Sequence, residues 1–225
     1  MKTKILSCRT LEPEVRLAME KSGCTMELEV LHENNHDVPN LLRRNLQAAL
    51  DKMVDTDRVL LAFATCGGTM VGLQTGDFEL IIPRLDDCLS LLMGSMERRK
   101  EVLEGDFGLF VTKSWMEHEN NTAVQLEYIR RKYPEHRAKK VIEVMYGKFD
   151  SLNVIDTGAY DVCSILPRTE VLAQQLGLKH RIVQGTTAYL ETLLQGPYDP
   201  AYFIVIPPHT TITEMDTMLG SLSKG

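Results

Sequence analysis

The run Arg58-Val59-Leu60-Leu61-Ala62-Phe63-Ala64 opens on one charge and then carries no polar side chain until Thr65. A strand with one wet face alternates apolar and polar residues. A run that is apolar at every position must be covered on both faces, which is how a strand inside a parallel sheet reads. Parallel neighbours are joined only by long crossovers, so this run commits the chain to an α/β architecture.

The flanking segments agree. Lys4-Ile5-Leu6-Ser7-Cys8 reads as a short strand, followed by a helix that opens near Pro13 and stops near Gly23. Pro suits a first helical turn, where its missing N–H is not needed. Met26-Glu27-Leu28-Glu29-Val30-Leu31 alternates in period two, and Leu41, Leu42, Leu46, Leu50 and Met53 recur at helical spacing. Phe78-Glu79-Leu80-Ile81-Ile82 is a further buried strand closed by Pro83, and Cys88 to Met93 a helix ending at Gly94. The pattern predicts four strand-then-helix units before residue 95, with a short helix or turn at Val71-Gly72-Leu73 in the third.

Beyond it, Phe107 to Thr112 reads as a strand, Lys113-Ser114-Trp115 as a loop, and residues 121–147 as helix broken at Pro134. Strands at Val154 to Gly158 and His180 to Gly185 alternate with helices at Thr169 to Gly177 and Thr187 to Leu194. A last strand, Tyr202 to Ile206, stops at Pro207-Pro208. The expected fold is a mostly parallel, doubly wound sheet with helices on both faces. The 225 residues suit a single α/β domain over 1–225, or two lobes meeting near residues 100–120.

No stretch approaches the roughly 20 apolar residues that span a bilayer, and the N-terminus lacks the apolar run of a signal peptide. The expectation is a cytoplasmic protein with no membrane partner. A net charge of −6 argues against nucleic acid, whose phosphates want a basic face. Arg98-Arg99-Lys100 and Arg130-Arg131-Lys132 are each followed by acidic residues and read as solvated helix faces.

The five cysteines form no C-x-x-C pair, and an odd count in a reducing compartment does not suggest disulfides. Cys8, Cys66 and Cys88 each follow an expected strand. In open α/β sheets ligands bind outside those strand ends, so three thiols far apart in sequence could converge there. Gly67 and Gly68 after Cys66 would let backbone approach a ligand closely. Cys88 opens a helix, whose dipole would favour thiolate. Three thiolates could hold zinc with an open fourth position, or three irons of a [4Fe–4S] cluster. His36, Asp86 and Asp87 are candidate further ligands or partners, His209 lies past a strand end, and Trp115 could equally wall a pocket or pack in the core. The competing reading is packing, since free cysteine often only fills space. Cys24 and Cys163 lack the strand-end placement and read as structural.

A resemblance covers nearly the whole chain. Leu61-Ala62-Phe63-Ala64-Thr65-Cys66-Gly67-Gly68, Val71-Gly72-Leu73, Ile82-Pro83-Arg84-Leu85-Asp86-Asp87-Cys88 and Leu92-Met93-Gly94-Ser95 resemble domain-of-unknown-function family 1638. Cys8-x-x-Leu11-x-x-Glu14, His36-x-x-Pro39, Trp115 and Phe203-Ile204-Val205-Ile206-Pro207-Pro208 extend the likeness. Two positions depart from the pattern: Asp86 stands where a histidine is usual, and His209 where a glycine is usual. Family members often accompany corrinoid-dependent methyltransferases, so the resemblance implies one-carbon or corrinoid metabolism.

The expectation is therefore a metal- or corrinoid-binding protein of methyl transfer, accessory to or part of a corrinoid-dependent methyltransferase system. Metal ligands would be Cys8, Cys66 and Cys88, with zinc foremost and an iron–sulfur cluster or corrinoid cobalt as alternatives. Trp115, Gly67, Gly68 and His36 would line the cofactor site, and Glu14 and His36 would orient or deprotonate a substrate. A corrinoid protein or methyltransferase would be the partner. The alternative is a non-catalytic binder of a small molecule, its crevice lined by Trp115 and Met116 and its cysteines structural.

Overall fold

The computed structural model describes residues 1–31, 38–66, 68–103 and 105–218. His36 and Gly67 lie outside the described residues. In chain order the described elements are β1 (Thr3–Cys8), α1 (Glu12–Ser22), β2 (Glu27–Leu31), α2 (Pro39–Leu50), β3 (Arg58–Ala62), β4 (Glu79–Pro83), α3 (Cys88–Met93) and α4 (Met96–Leu103). They continue as β5 (Gly108–Val111), α5 (Lys113–Glu117), α6 (Thr122–Lys132), α7 (Glu135–Tyr146), β6 (Ser151–Asp156), α8 (Leu166–Leu176), β7 (Lys179–Gln184), α9 (Ala188–Gln195), β8 (Phe203–Ile206) and α10 (Glu214–Thr217). The chain divides into two compact units, one of residues 1–96 with 187–225, the other of residues 97–186.

The first unit holds a five-stranded sheet in the order β2-β1-β3-β4-β8. β1, β2, β3 and β4 run parallel, and β8 runs antiparallel against β4. The apolar run at β3 sits in the middle, where Val59, Leu60, Leu61, Ala62, Phe63 and Ala64 are all buried. Edge strand β2, whose sequence alternates, is half-buried along most of its length and exposed at Glu27. This is the mostly parallel α/β fold that the sequence implies. Helices end where the sequence turns them: α1 at Gly23 and α3 at Gly94, both glycines in the left-handed region that closes a helix without a Cβ clash.

In the third strand-then-helix unit residues 68–72 form a turn, one of the two readings open there. One element differs from expectation. Lys113-Ser114-Trp115 is not a loop but the start of α5, since the buried Thr112 side chain accepts the Trp115 N–H and caps a helical turn. The last strand is antiparallel, so it leaves the sheet at the end where β4 enters.

The second unit is a parallel three-stranded sheet in the order β5-β6-β7. Val111, Leu152 and Val154 from its strands pack with Leu126, Tyr146 and Leu172 from α6, α7 and α8. Consecutive strands are added on the same side, so this sheet has no reversal of strand order. No described helix in either unit is long and apolar enough to cross a membrane.

Candidate functional site

In the first unit β2 is added on one side of β1 and β3 on the other. The loops after β1 and β3 therefore leave in opposite directions, and a crevice opens outside their C-terminal ends. Cys8 is the last residue of β1, Cys66 follows β3, and Cys88 follows β4, the next strand in the sheet.

Backbone hydrogen bonds carry the alignment past the strands. Thr65 N donates to Leu85 O at 3.0 Å and Cys66 N to Asp86 O at 3.0 Å, while the buried Thr65 hydroxyl donates to Leu85 O at 2.9 Å. The two loops are thus laced together. This brings Cys66 Sγ and Cys88 Sγ to 3.6 Å from each other, although 22 positions separate them in sequence. Cys66 sits on a turn with φ 43°, in the left-handed region, and Gly68 two residues on has φ 82°. From α2, Arg43 donates to the carbonyls of Thr69 (3.2 Å) and Gly68 (3.3 Å), pinning the far side of the turn.

Cys88 is held from the other side. Asp87 caps α3 by accepting the Ser90 N–H at 2.8 Å, and Asp86 accepts from the Asp87 N–H (3.0 Å) and the Ser90 hydroxyl (2.6 Å). The two aspartates thus brace the cysteine's helix. Cys8 is wholly buried, and its sulfur shares a hydrogen bond with the Thr10 hydroxyl at 3.0 Å. Glu14, in the first turn of the helix that follows, is also wholly buried.

The electrostatics reverse the expected state of Cys88. Its contact with the Cys66 sulfur, then burial, then the charge Cys66 would carry hold the thiol well above its ordinary range, against an opposing amide at Ala64. The negative Asp87 beside it adds to the rise. A helix as short as α3 supplies too little dipole to overcome these, so Cys88 is a neutral thiol at neutral pH. Burial, and next the neighbouring Cys88, push the Cys8 thiol up to about 12, with Thr10 opposing.

No group of three or more His, Cys, Asp or Glu side chains is placed to hold a metal ion among the described residues. Two sulfurs stand together; the third is turned to Thr10. His209 does not complete the site. Because β8 is antiparallel, His209 follows its far end, where its N–H donates to Gly76 O and its exposed ring meets Asp77 at 3.1 Å, next to the start of β4. Trp115 belongs to the second unit, half-buried against that unit's core and stacked on His118 at 5.5 Å. Met116 beside it is buried. Cys163 is exposed on a short turn and packs no core, contrary to its structural reading, whereas Cys24 is half-buried.

Sequence reasoning missed one feature of the first unit. Gly94, Ala188, Tyr189, Thr192, Tyr202 and Phe203 line a cavity of about 250 Å³. Phe203 pairs with Pro83, at the sheet edge where the cysteines lie, and Gly94 ends the helix that Cys88 begins. Only an antiparallel β8 brings its first residue to that edge, and no local pattern encodes the direction.

A family model described as "Protein of unknown function (DUF1638)" matches residues 30–194, and the chain belongs to that family. Cys66 and Cys88 fall within the matched stretch and Cys8 precedes it. No curated protein and no solved structure matches the chain.

Proposed function

We propose that this member of the family binds a thiophilic metal ion, zinc foremost, through Cys66, Cys88 and Cys8, and acts on a small thiol or methyl-bearing substrate in one-carbon metabolism. The observation that carries the reading is the Cys66–Cys88 sulfur separation of 3.6 Å at the strand-order reversal. Two thiolates on one tetrahedral zinc, each bonded at about 2.3 Å, lie about 3.8 Å apart. The pair is thus already spaced as two corners of such a site, and far from a disulfide, whose sulfurs are about 2.05 Å apart.

The donor set suits a soft ion, since sulfur outcompetes oxygen for zinc and monovalent copper. Cys8 would join as third ligand by leaving Thr10. Asp86 and Asp87 would keep the loop and helix carrying Cys88 in place, as outer partners of metal ligands do. Zinc with one position open to substrate supplies Lewis acidity and favours the thiolate form of a bound thiol. Glu14, a buried carboxylate in the helix after Cys8, is the chain's own candidate to take up that proton. A corrinoid protein or methyltransferase is the proposed partner, on the family context alone.

The test is metal analysis of protein purified without oxygen, with a visible spectrum, for wild type and for Cys66→Ser and Cys88→Ser. Close to one zinc per chain in wild type and weakened retention in both variants, which keep only two of the three sulfurs, is expected. Brown colour with iron would replace zinc by a cluster. A colourless wild type that holds no metal and takes none up would overturn the proposal. It would favour a second reading that the aromatic-lined cavity supports, a small-molecule binder whose ligand inserts a neutral ring between Tyr189, Tyr202 and Phe203.

A further inference from the structure

We infer that Cys66 and Cys88 form a reversible disulfide when hydrogen peroxide reaches the metal-free protein, making the pair a redox-modification site. The link itself needs no metal. Only its consequence, that an oxidised protein can no longer hold a metal there, rests on the function proposed above.

Three placements carry the inference. The sulfurs are 3.6 Å apart, so closing to about 2.05 Å asks for about 1.5 Å of movement. The two sulfurs are on different kinds of support: Cys88 is in a capped helix, whereas Cys66 is on a turn outside any helix or strand, with Gly68 two residues on, where a small backbone change can supply the movement. Both are half-buried, while Cys8 is wholly buried and engaged with Thr10. An oxidant therefore meets the pair before it meets the third thiol.

The chemistry balances with one peroxide. The sulfur of one cysteine, as thiolate, attacks the peroxide oxygen; the O–O bond breaks, the sulfur becomes a sulfenic acid, and the leaving oxygen departs as water once protonated. The second thiol then attacks the sulfenic sulfur, forming S–S and expelling the hydroxyl as a second water. Two thiols are oxidised by two electrons, and the peroxide is reduced to two waters. A dithiol reductant reverses the link by exchange.

Cys24 and Cys163 do not share this arrangement. Cys24 follows the end of α1 and Cys163 lies on a short exposed turn, and neither has a sulfur partner among the described residues. An exposed Cys163 will react with oxidant, but it has no resolving sulfur and stops at a sulfenic acid or goes on to irreversible forms.

The experiment treats reduced, metal-free, full-length protein with stoichiometric hydrogen peroxide, blocks remaining thiols with an alkylating reagent, and maps peptides without reduction. A Cys24→Ser/Cys163→Ser background removes competing oxidation while leaving the site untouched. In that background the three remaining thiols should fall to one, with a Cys66–Cys88 linked peptide two hydrogens lighter than its parts. Dithiothreitol should restore all three. Cys66→Ser added to it should abolish the link. Oxidation of Cys66 to a sulfinic acid with no link, a link through Cys8 instead, or no reaction at all would each overturn the inference. Because no metal enters, a failure here leaves the metal proposal standing, and failed metal uptake leaves this result standing.

Discussion

Zinc affinity is expected to rise about 100-fold or more for each pH unit between pH 6.5 and 7.5, with two or more protons released per ion bound. Metal ligation requires thiolate, so every thiol still protonated in the metal-free protein must give up a proton on binding, and each contributes about tenfold per unit. Two are identified as protonated. Burial pushes Cys8 up to about 12, and contact with Cys66 together with burial holds Cys88 well above its ordinary range. Because both thiols are held above their ordinary range, the slope should not flatten before the solution becomes alkaline. Competition against a chelator of known pH dependence measures the slope, and calorimetry in buffers of different ionisation enthalpy counts the protons. An affinity that is flat across this interval would mean that the ion binds elsewhere, through groups already deprotonated.

The same burial sets the alkaline limit of the metal-free protein. Below pH 9 the Cys8 thiol is protonated in folded and unfolded chains alike, and its contribution to stability is fully present. Above pH 9 the unfolded chain ionises there while the folded chain keeps the proton until about 12. The unfolded state is therefore favoured progressively, at about 1.4 kcal/mol per pH unit, and about 4 kcal/mol is lost across the window. Tyr189, pushed up to about 12 by burial, acts in the same direction, so the comparison has to be between variants. Urea unfolding of wild type and Cys8→Ser at pH 8, 9.5 and 10.5 separates them, because serine does not ionise. The serine variant should start lower and fall less steeply. Parallel slopes would show that Cys8 is not held protonated by the fold.

Much of this could be read before the structure. The run ending at Ala64 announced a central parallel strand because its composition permits no wet face, and Gly23 and Gly94 marked two helix ends because they alone take the left-handed conformation cheaply. That Cys8, Cys66 and Cys88 each follow a strand was legible from the strand ends; that those strands are neighbours in the order β1-β3-β4 came only with the sheet.

What local sequence withheld was direction and competition. Phe203-Ile204-Val205-Ile206 reads the same as a parallel or an antiparallel strand. Its reversal against β4 moved His209 away from the cysteines and brought Phe203 toward them. The helix-end position of Cys88 suggested a thiolate, but burial and a second sulfur at 3.6 Å outweigh the dipole of a six-residue helix. Trp115, open to reading as a pocket wall or a core residue because it follows a strand end, packs against the second unit's core; the helix there was not legible because its Thr112 cap depends on one hydroxyl finding one amide. The return of the chain to its first unit at residue 187 has no marker in composition at all.

The most direct test of the central claim is X-ray absorption at the zinc edge of the wild-type protein loaded with one equivalent of zinc without oxygen. Three sulfur neighbours at about 2.3 Å and one lighter atom, falling to two sulfurs in Cys88→Ser, is the result expected. A zinc surrounded only by nitrogen and oxygen, with the spectrum unchanged in that variant, would contradict it.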